Sequence, residues 1–226
     1  CYVPMLAGRG LGHTQGTIDK PETIPGYRSS LSLPEFQRIV EDVGISIMTQ
    51  TADICPADNK IYALRDLTDT VASLPLICGS IMSKKIAAGI QGLVLDIKLG
   101  NGAFMKTLPQ ARELSTLLKE VGELYGINVS ISCTDMNQPL GNSAGLWCEV
   151  MESVQCLQGD GPEDMMHVVY HLGKEALKLA GIHNPEERLK TVIINGSALD
   201  KFRQIVKEHG GSLESLDDPE THRPLF

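Results

Sequence analysis

Arg65, Ser80 and Lys84 are the residues whose types and spacing most readily do chemistry in this sequence. Ser80 and Lys84 are four apart, so on a helix they share one face. Arg65 lies on the preceding helical stretch, which a turn at Pro75 folds back alongside. The three offer a planar fork, a hydroxyl and a point charge, all hydrogen-bond donors. That set suits a planar, carbonyl-rich ligand that acquires negative charge. The competing reading is a solvated helix face with an Arg65–Asp66 surface pattern. A second candidate is the glycine-rich run from Gly8 to Thr17, which follows an apolar strand. Glycines there bring backbone N–H groups close to an anion, or make a tight strand-to-helix turn. The spacing fits neither the dinucleotide fingerprint nor the GxxxxGK[ST] loop. A third is the run Asp96 to Met105, a buried strand ending in Gly100-Asn101-Gly102, with Phe104 and Met105 as a pocket wall or as core. The fourth is the loop Gln138 to Ser143 before a helix carrying Glu149 and Glu152, where carbonyls and a carboxylate can hold a cation or simply make a turn. The six histidines are dispersed, and His13 alone lies in a glycine-rich motif.

The elements that must position these groups follow from hydrophobic period. Apolar spacing of 3.6 predicts helices at 34–43, 62–73, 76–88, 109–125, 146–157, 162–179 and 198–209. Thr107 with Gln110 forms a capping box, and Ser197 caps the last helix. Short β-rich runs predict strands at 2–6, 44–49, 92–99, 128–133 and 191–194. Alternating strand and helix means an α/β fold with parallel strands. The alternation breaks at 57–88, where two helices follow one another, and this predicts a small helical lobe across a cleft from the α/β body.

With 226 residues, 42% of them hydrophobic, the chain needs no disulfide or metal to build a core. Six scattered cysteines without a CxxC pair argue against a disulfide scaffold and for a reducing, cytoplasmic compartment. A net charge of −8 with 4% aromatics and no basic block argues against a nucleic-acid partner. The apolar run from Ile90 to Ile97 is too short to cross a bilayer and contains Gln91 and Asp96, so no membrane span is expected. The opening Cys1-Tyr2-Val3-Pro4-Met5 reads as an apolar strand with no initiator methionine, and the chain is expected to be a piece of a longer protein.

Four stretches, GRGLGHTQGTIDK, YALRDLTDTVASLPLICGSIMSKK, LVLDIKLGNGAFMKT and TDMNQPLGNSAG, closely resemble consecutive signatures of thymidine and pyrimidine-nucleoside phosphorylases. The likeness runs from Tyr2 to about Leu157 in order and continues more loosely to the end. Sister phosphoribosyltransferases share the fold without the YALRD and SIMSKK pair. The resemblance implies a homodimeric pentosyltransferase that splits pyrimidine nucleosides with inorganic phosphate, and no organic cofactor. It implies an α/β phosphate-side lobe at 1–56 and 89–195, part of a helical nucleoside-side lobe at 57–88, and a linker helix and tail at 196–226. The family's pyrimidine contacts fall on Arg65, Ser80 and Lys84, and a phosphate contact falls on Thr17. In potassium-binding members the ligands fall on Leu140, Ser143 and Glu152.

Departures accompany the likeness. The family's Lys-x-Ser-Thr-Gly-Gly phosphate loop, with its adjoining His, precedes these motifs, and a small α+β domain follows the linker; neither is in this sequence. Ala7 stands where a phosphate-binding Ser is common, Met5 replaces a Lys seen in some members, and Gln15 replaces a Gly. The 226-residue chain alone is therefore expected to be inactive. A catalytically silent binding or signalling protein on the same fold is the alternative, favoured by Ala7 and Gln15 and opposed by Arg65, Ser80 and Lys84. An oxidoreductase reading rests only on the glycine-rich start, whose spacing is wrong.

Overall fold

A computed structural model describes residues 1–10, 16–51 and 54–219, with Asp66 described by its backbone only. In chain order these form β1 (Val3–Ala7), a 3₁₀ turn (Pro21–Thr23), α1 (Leu33–Val43), β2 (Ile45–Thr49), α2 (Pro56–Leu67), α3 (Leu74–Ala87), β3 (Gly92–Leu99), α4 (Leu108–Leu124), β4 (Asn128–Asp135), α5 (Leu146–Gln158), α6 (Glu163–Leu179), α7 (Pro185–Ile194), α8 (Ser197–Glu208) and α9 (Glu214–Asp217). Two strand–helix–strand crossovers carry the architecture. β1 pairs in parallel with β2, from Val3 opposite Ile45 to Ala7 opposite Thr49. β3 pairs in parallel with β4, from Gly92 opposite Asn128 to Leu99 opposite Asp135. The chain is thus mixed α/β with small parallel sheets, as alternation predicts.

Local sequence explains the crossovers. Ser32 and Glu35 close a capping box at the start of α1, with Glu35 Oε2 accepting from the Ser32 N–H at 3.0 Å. Gly44, at φ 90°, ends α1 in the left-handed region and turns the chain directly into β2. At the start of α4, Gln110 Oε1 accepts from the Thr107 N–H at 3.1 Å, as the capping signature predicts.

The chain divides into two compact units. One comprises residues 1–53, 142–162 and 190–226, and its core joins Ile24 and Tyr27 to Trp147, Val150 and Val154 of α5, Val206 of α8 and Leu216 of α9. The other comprises 54–141 and 163–189. There Cys78 and Met82 of α3 pack with Leu93 and Ile97 of β3 and with Leu114 and Leu118 of α4. The opposite face of its sheet is polar and meets α6 through Ser132–His171 (2.8 Å) and Ser130–Glu175 (3.2 Å). One cut, between 53 and 54, lies close to the lobe boundary expected near 57, and none lies near 88, because the α3 apolar face packs into the same core as β3 and α4.

Three local expectations are corrected. Residues 191–194, β-branched and read as a strand, are the last turn of α7. Pro185 with Glu186 and Glu187 starts a helix there, and Asn195 N–H still bonds the Thr191 carbonyl at 3.0 Å. Ser197 is not the cap of α8; Gly196 is, at φ 78°, and Ser197 Oγ donates to Asn195 Oδ1 at 2.7 Å. The helix placed at 62–73 runs instead from Pro56 to Leu67. Among the described residues no helix is long and apolar enough to cross a membrane.

Candidate active site

The decisive geometry is in the helical pair. Pro56 begins α2 six residues earlier than the start at Tyr62 that apolar spacing alone suggests. Asp58, Tyr62 and Arg65, at i, i+4 and i+7, therefore share one face. Pro75, in the first turn of α3, opens the second helix, and Ser80 and Lys84 share a face of it. Lys84 Nζ donates to Ser80 Oγ at 2.8 Å and to Asp58 Oδ2 at 2.7 Å. Arg65 and Lys84 both lie against the Tyr62 ring, 5.8 and 5.6 Å from its centroid, within cation–π range.

Arg65, Ser80 and Lys84 are only 5%, 6% and 8% exposed. A solvated helix face is thereby excluded. One Arg65 guanidinium nitrogen donates to the Val71 carbonyl and ties the turn between the helices. Its Nε is buried and has no partner among the described residues, a costly state unless a ligand supplies the acceptor. Burial holds the Arg65 guanidinium below its ordinary pKa, against smaller opposing effects of Tyr62 and Asp58. Two of the three Lys84 N–H groups are taken by Asp58 and Ser80, which leaves one for a ligand. Ser80 accepts from Lys84 and keeps its own O–H to donate.

The glycine-rich turn does bring backbone N–H groups to an anion, but the anion is internal. Asp19 Oδ2 accepts from Gly10 N–H at 2.7 Å and Gly16 N–H at 2.8 Å. Gly16 is required there: a Cβ would stand 2.3 Å from the Arg9 carbonyl carbon. Arg9 grips Glu22 with both nitrogens at 2.5 and 2.7 Å, and Ser29 donates to the same carboxylate. Thr17 is exposed on this turn. His13 and Gln15 lie outside the described residues. After β3, Met105 is core while Phe104 is 44% exposed, so the two do not form one wall.

Glu152 on α5 is not an exposed helix acid; it is 3% exposed. Its Oε1 accepts from the Asn142 N–H at 2.8 Å, and its Oε2 is buried without a partner among the described residues. An orphaned, buried carboxylate oxygen fits a cation. Ser143 belongs to the same unit as Glu152, and Leu140 to the other. Glu149 instead pairs with Lys20.

Residues 1–199 match the glycosyl transferase family, a/b domain. The chain belongs to that family. It is 45% identical over 222 residues to the pyrimidine-nucleoside phosphorylase of Staphylococcus haemolyticus (strain JCSC1435). It is 44% identical over 221 residues to that of Bacillus subtilis (strain 168). Each alignment covers 96% of this chain and 51% of the relative, so the chain spans about half the length of the curated relatives it matches. The resemblance drawn from the four motifs holds at the level of the family.

Asp58 escapes a reading by period and motif, and Tyr62 opens the YALRD motif without being assigned a role there. Starting the helix at Tyr62 separates Asp58 from the face it shares with Arg65. Pro56 was the available signal, since proline favours the first helical turn.

Proposed function

We propose that this chain carries the pyrimidine site, and one side of the phosphate site, of an enzyme that cleaves pyrimidine nucleosides with inorganic phosphate. The reaction is thymidine plus phosphate giving thymine plus 2-deoxyribose 1-phosphate. One observation carries the reading: a dry cluster of donors, Arg65, Ser80 and Lys84, the two cations against the Tyr62 ring, with a buried Arg65 Nε lacking an acceptor among the described residues. Similarity to proteins named pyrimidine-nucleoside phosphorylase supports it.

A phosphate oxygen bonds to C1′ of the sugar as the C1′–N1 bond breaks, and that bond's electron pair passes to the base. The base delocalises the charge onto its carbonyl oxygens. Arg65 and Lys84 stabilise the charge where it develops, which is differential binding of the transition state. Ser80 orients the ring. Thr17 offers its hydroxyl to phosphate. Potassium, if bound, is held by Glu152 and the Ser143 carbonyl and fixes the loop before α5; the orphaned Glu152 oxygen supports this. A homodimeric, cytoplasmic enzyme of pyrimidine salvage belongs to the same reading on resemblance alone. The 226-residue chain alone is expected to release no thymine, since it lacks the Lys-x-Ser-Thr-Gly-Gly loop.

The test is Lys84→Met in the full-length protein. Losing one electrostatic donor of this kind costs on the order of 10²–10³ in kcat/KM, with kcat falling as well as affinity. Arg65→Lys is also damaging, because an ammonium cannot reproduce the fork. A 5-nitro or 5-fluoro pyrimidine, which leaves more easily as an anion, loses less. Near-wild-type kcat/KM in folded Lys84→Met protein refutes the assignment. A silent relative is the second reading, favoured by Ala7 and by Asp19 already occupying the Gly10 and Gly16 N–H groups.

A further inference from the structure

We propose that Asp58 is a positioning residue of the pyrimidine site, the buried counter-charge that fixes the Lys84 ammonium beside Ser80. The proposal rests on the reading of Arg65 and Lys84 given above and adds to it the group through which Lys84 acts.

The geometry is specific. Asp58 and Lys84 side chains are 7% and 10% exposed, with Oδ2 and Nζ 2.7 Å apart. Ser80 Oγ completes the arrangement at 2.8 Å. The pair joins the first turn of α2 to the last turn of α3, so it fixes the relation of the two helices that carry Arg65 and Lys84.

Charge counting gives the reason for a carboxylate at this place. Arg65 and Lys84 share one aromatic ring in a dry setting. Two uncompensated cations there are expensive. Arg65, Lys84 and Asp58 together carry one net positive charge, which matches the single negative charge on a departing pyrimidine. The other groups facing Lys84 do not replace Asp58. From α2, Tyr62 gives a neutral ring, and Cys55 at its N-cap has its thiol pushed up by burial and by Asp58, so it stays uncharged. On α3, Lys85 is a second cation, which burial and then Lys84 drive toward the neutral form.

The experiment uses the full-length protein and a double-variant cycle, with kcat and KM for phosphorolysis of thymidine as the readout. Asp58→Asn is expected to lower kcat/KM by no more than the roughly 10²–10³ lost in Lys84→Met, since it acts through that group. In the Lys84→Met background, Asp58→Asn is expected to add no further loss, as residues that act as a unit do not add. Asp58→Glu keeps the counter-charge and covers the case in which the Asn variant does not fold. In Asp58→Glu kcat falls, because the longer side chain displaces the ammonium. An additive loss in the double variant overturns the proposal, and so does a Glu variant with wild-type kcat. Near-wild-type kcat/KM in folded Lys84→Met protein overturns the reading it rests on, since Lys84 then takes no part in the reaction.

Discussion

His209 offers a test of the packing that supports the fold. Its ring has no exposed surface and stacks on Tyr27 at 4.6 Å between centroids, with 6° between the planes. Nδ1 is 2.8 Å from the Arg28 carbonyl, which only accepts, so Nδ1 carries the proton. Nε2 must then accept from the Ser46 hydroxyl, 2.9 Å away. The neutral imidazole thus joins the end of α8 to β2 and to the loop before α1. Replacing it in His209→Phe preserves the stack but orphans the Ser46 hydroxyl and the Arg28 carbonyl, at about 1–3 kcal/mol each. A loss of about 2–6 kcal/mol is expected at pH 7.5, or about 4–24 °C in Tm for a chain of this size. The pH dependence is the sharper part. Burial holds the His209 pKa below its ordinary value, so the unfolded chain binds the proton more readily. Its stabilising contribution is complete above about pH 6.5 and is lost as pH falls below that value. Urea denaturation of both proteins at pH 7.5, 6.5 and 5.5 reads this out. The wild type loses stability faster on acidification, so the gap between the two narrows. Parallel curves would refute a neutral, buried His209.

Three further outcomes are expected. Lys84→Met strands the Asp58 carboxylate and lowers stability by about 3–5 kcal/mol, while adding Asp58→Asn recovers most of the loss; equal urea midpoints for the single and double variants would show that the ion pair is solvated. Potassium raises Tm above the value in sodium at matched ionic strength, and Glu152→Gln abolishes the difference; equal melting of the wild type in both salts removes the cation assignment. Ala7→Ser, at the end of β1, lowers the phosphate KM of the full-length protein by about tenfold or more, since a hydrogen bond to a charged group contributes about 1.5–3 kcal/mol; an unchanged KM means the phosphate sits elsewhere.

Period and capping chemistry alone determined most elements of this chain, because they are local. Ser32 with Glu35 opens α1, Gly44 ends it, and Thr107 with Gln110 opens α4 whatever surrounds them. Strands β1 to β4 were legible as short apolar runs between such helices. The types and helical spacing of Ser80 and Lys84 also pointed to a donor cluster, and the four motifs pointed to a family. Tertiary structure decided the rest. A β-branched run at 191–194 is helical because α7 begins upstream at Pro185, and propensity over four residues is weaker than a helix already propagating. The anion for the Gly10 and Gly16 N–H groups is Asp19, a pairing that depends on how the loop folds back. Asp58 is 26 positions from Lys84, and nothing in the periodicity of either helix pairs them. Burial decides whether such a charge is solvent-facing or poised, and burial is a property of what packs against a residue. It is set by contacts distant in sequence, and those only the folded chain supplies.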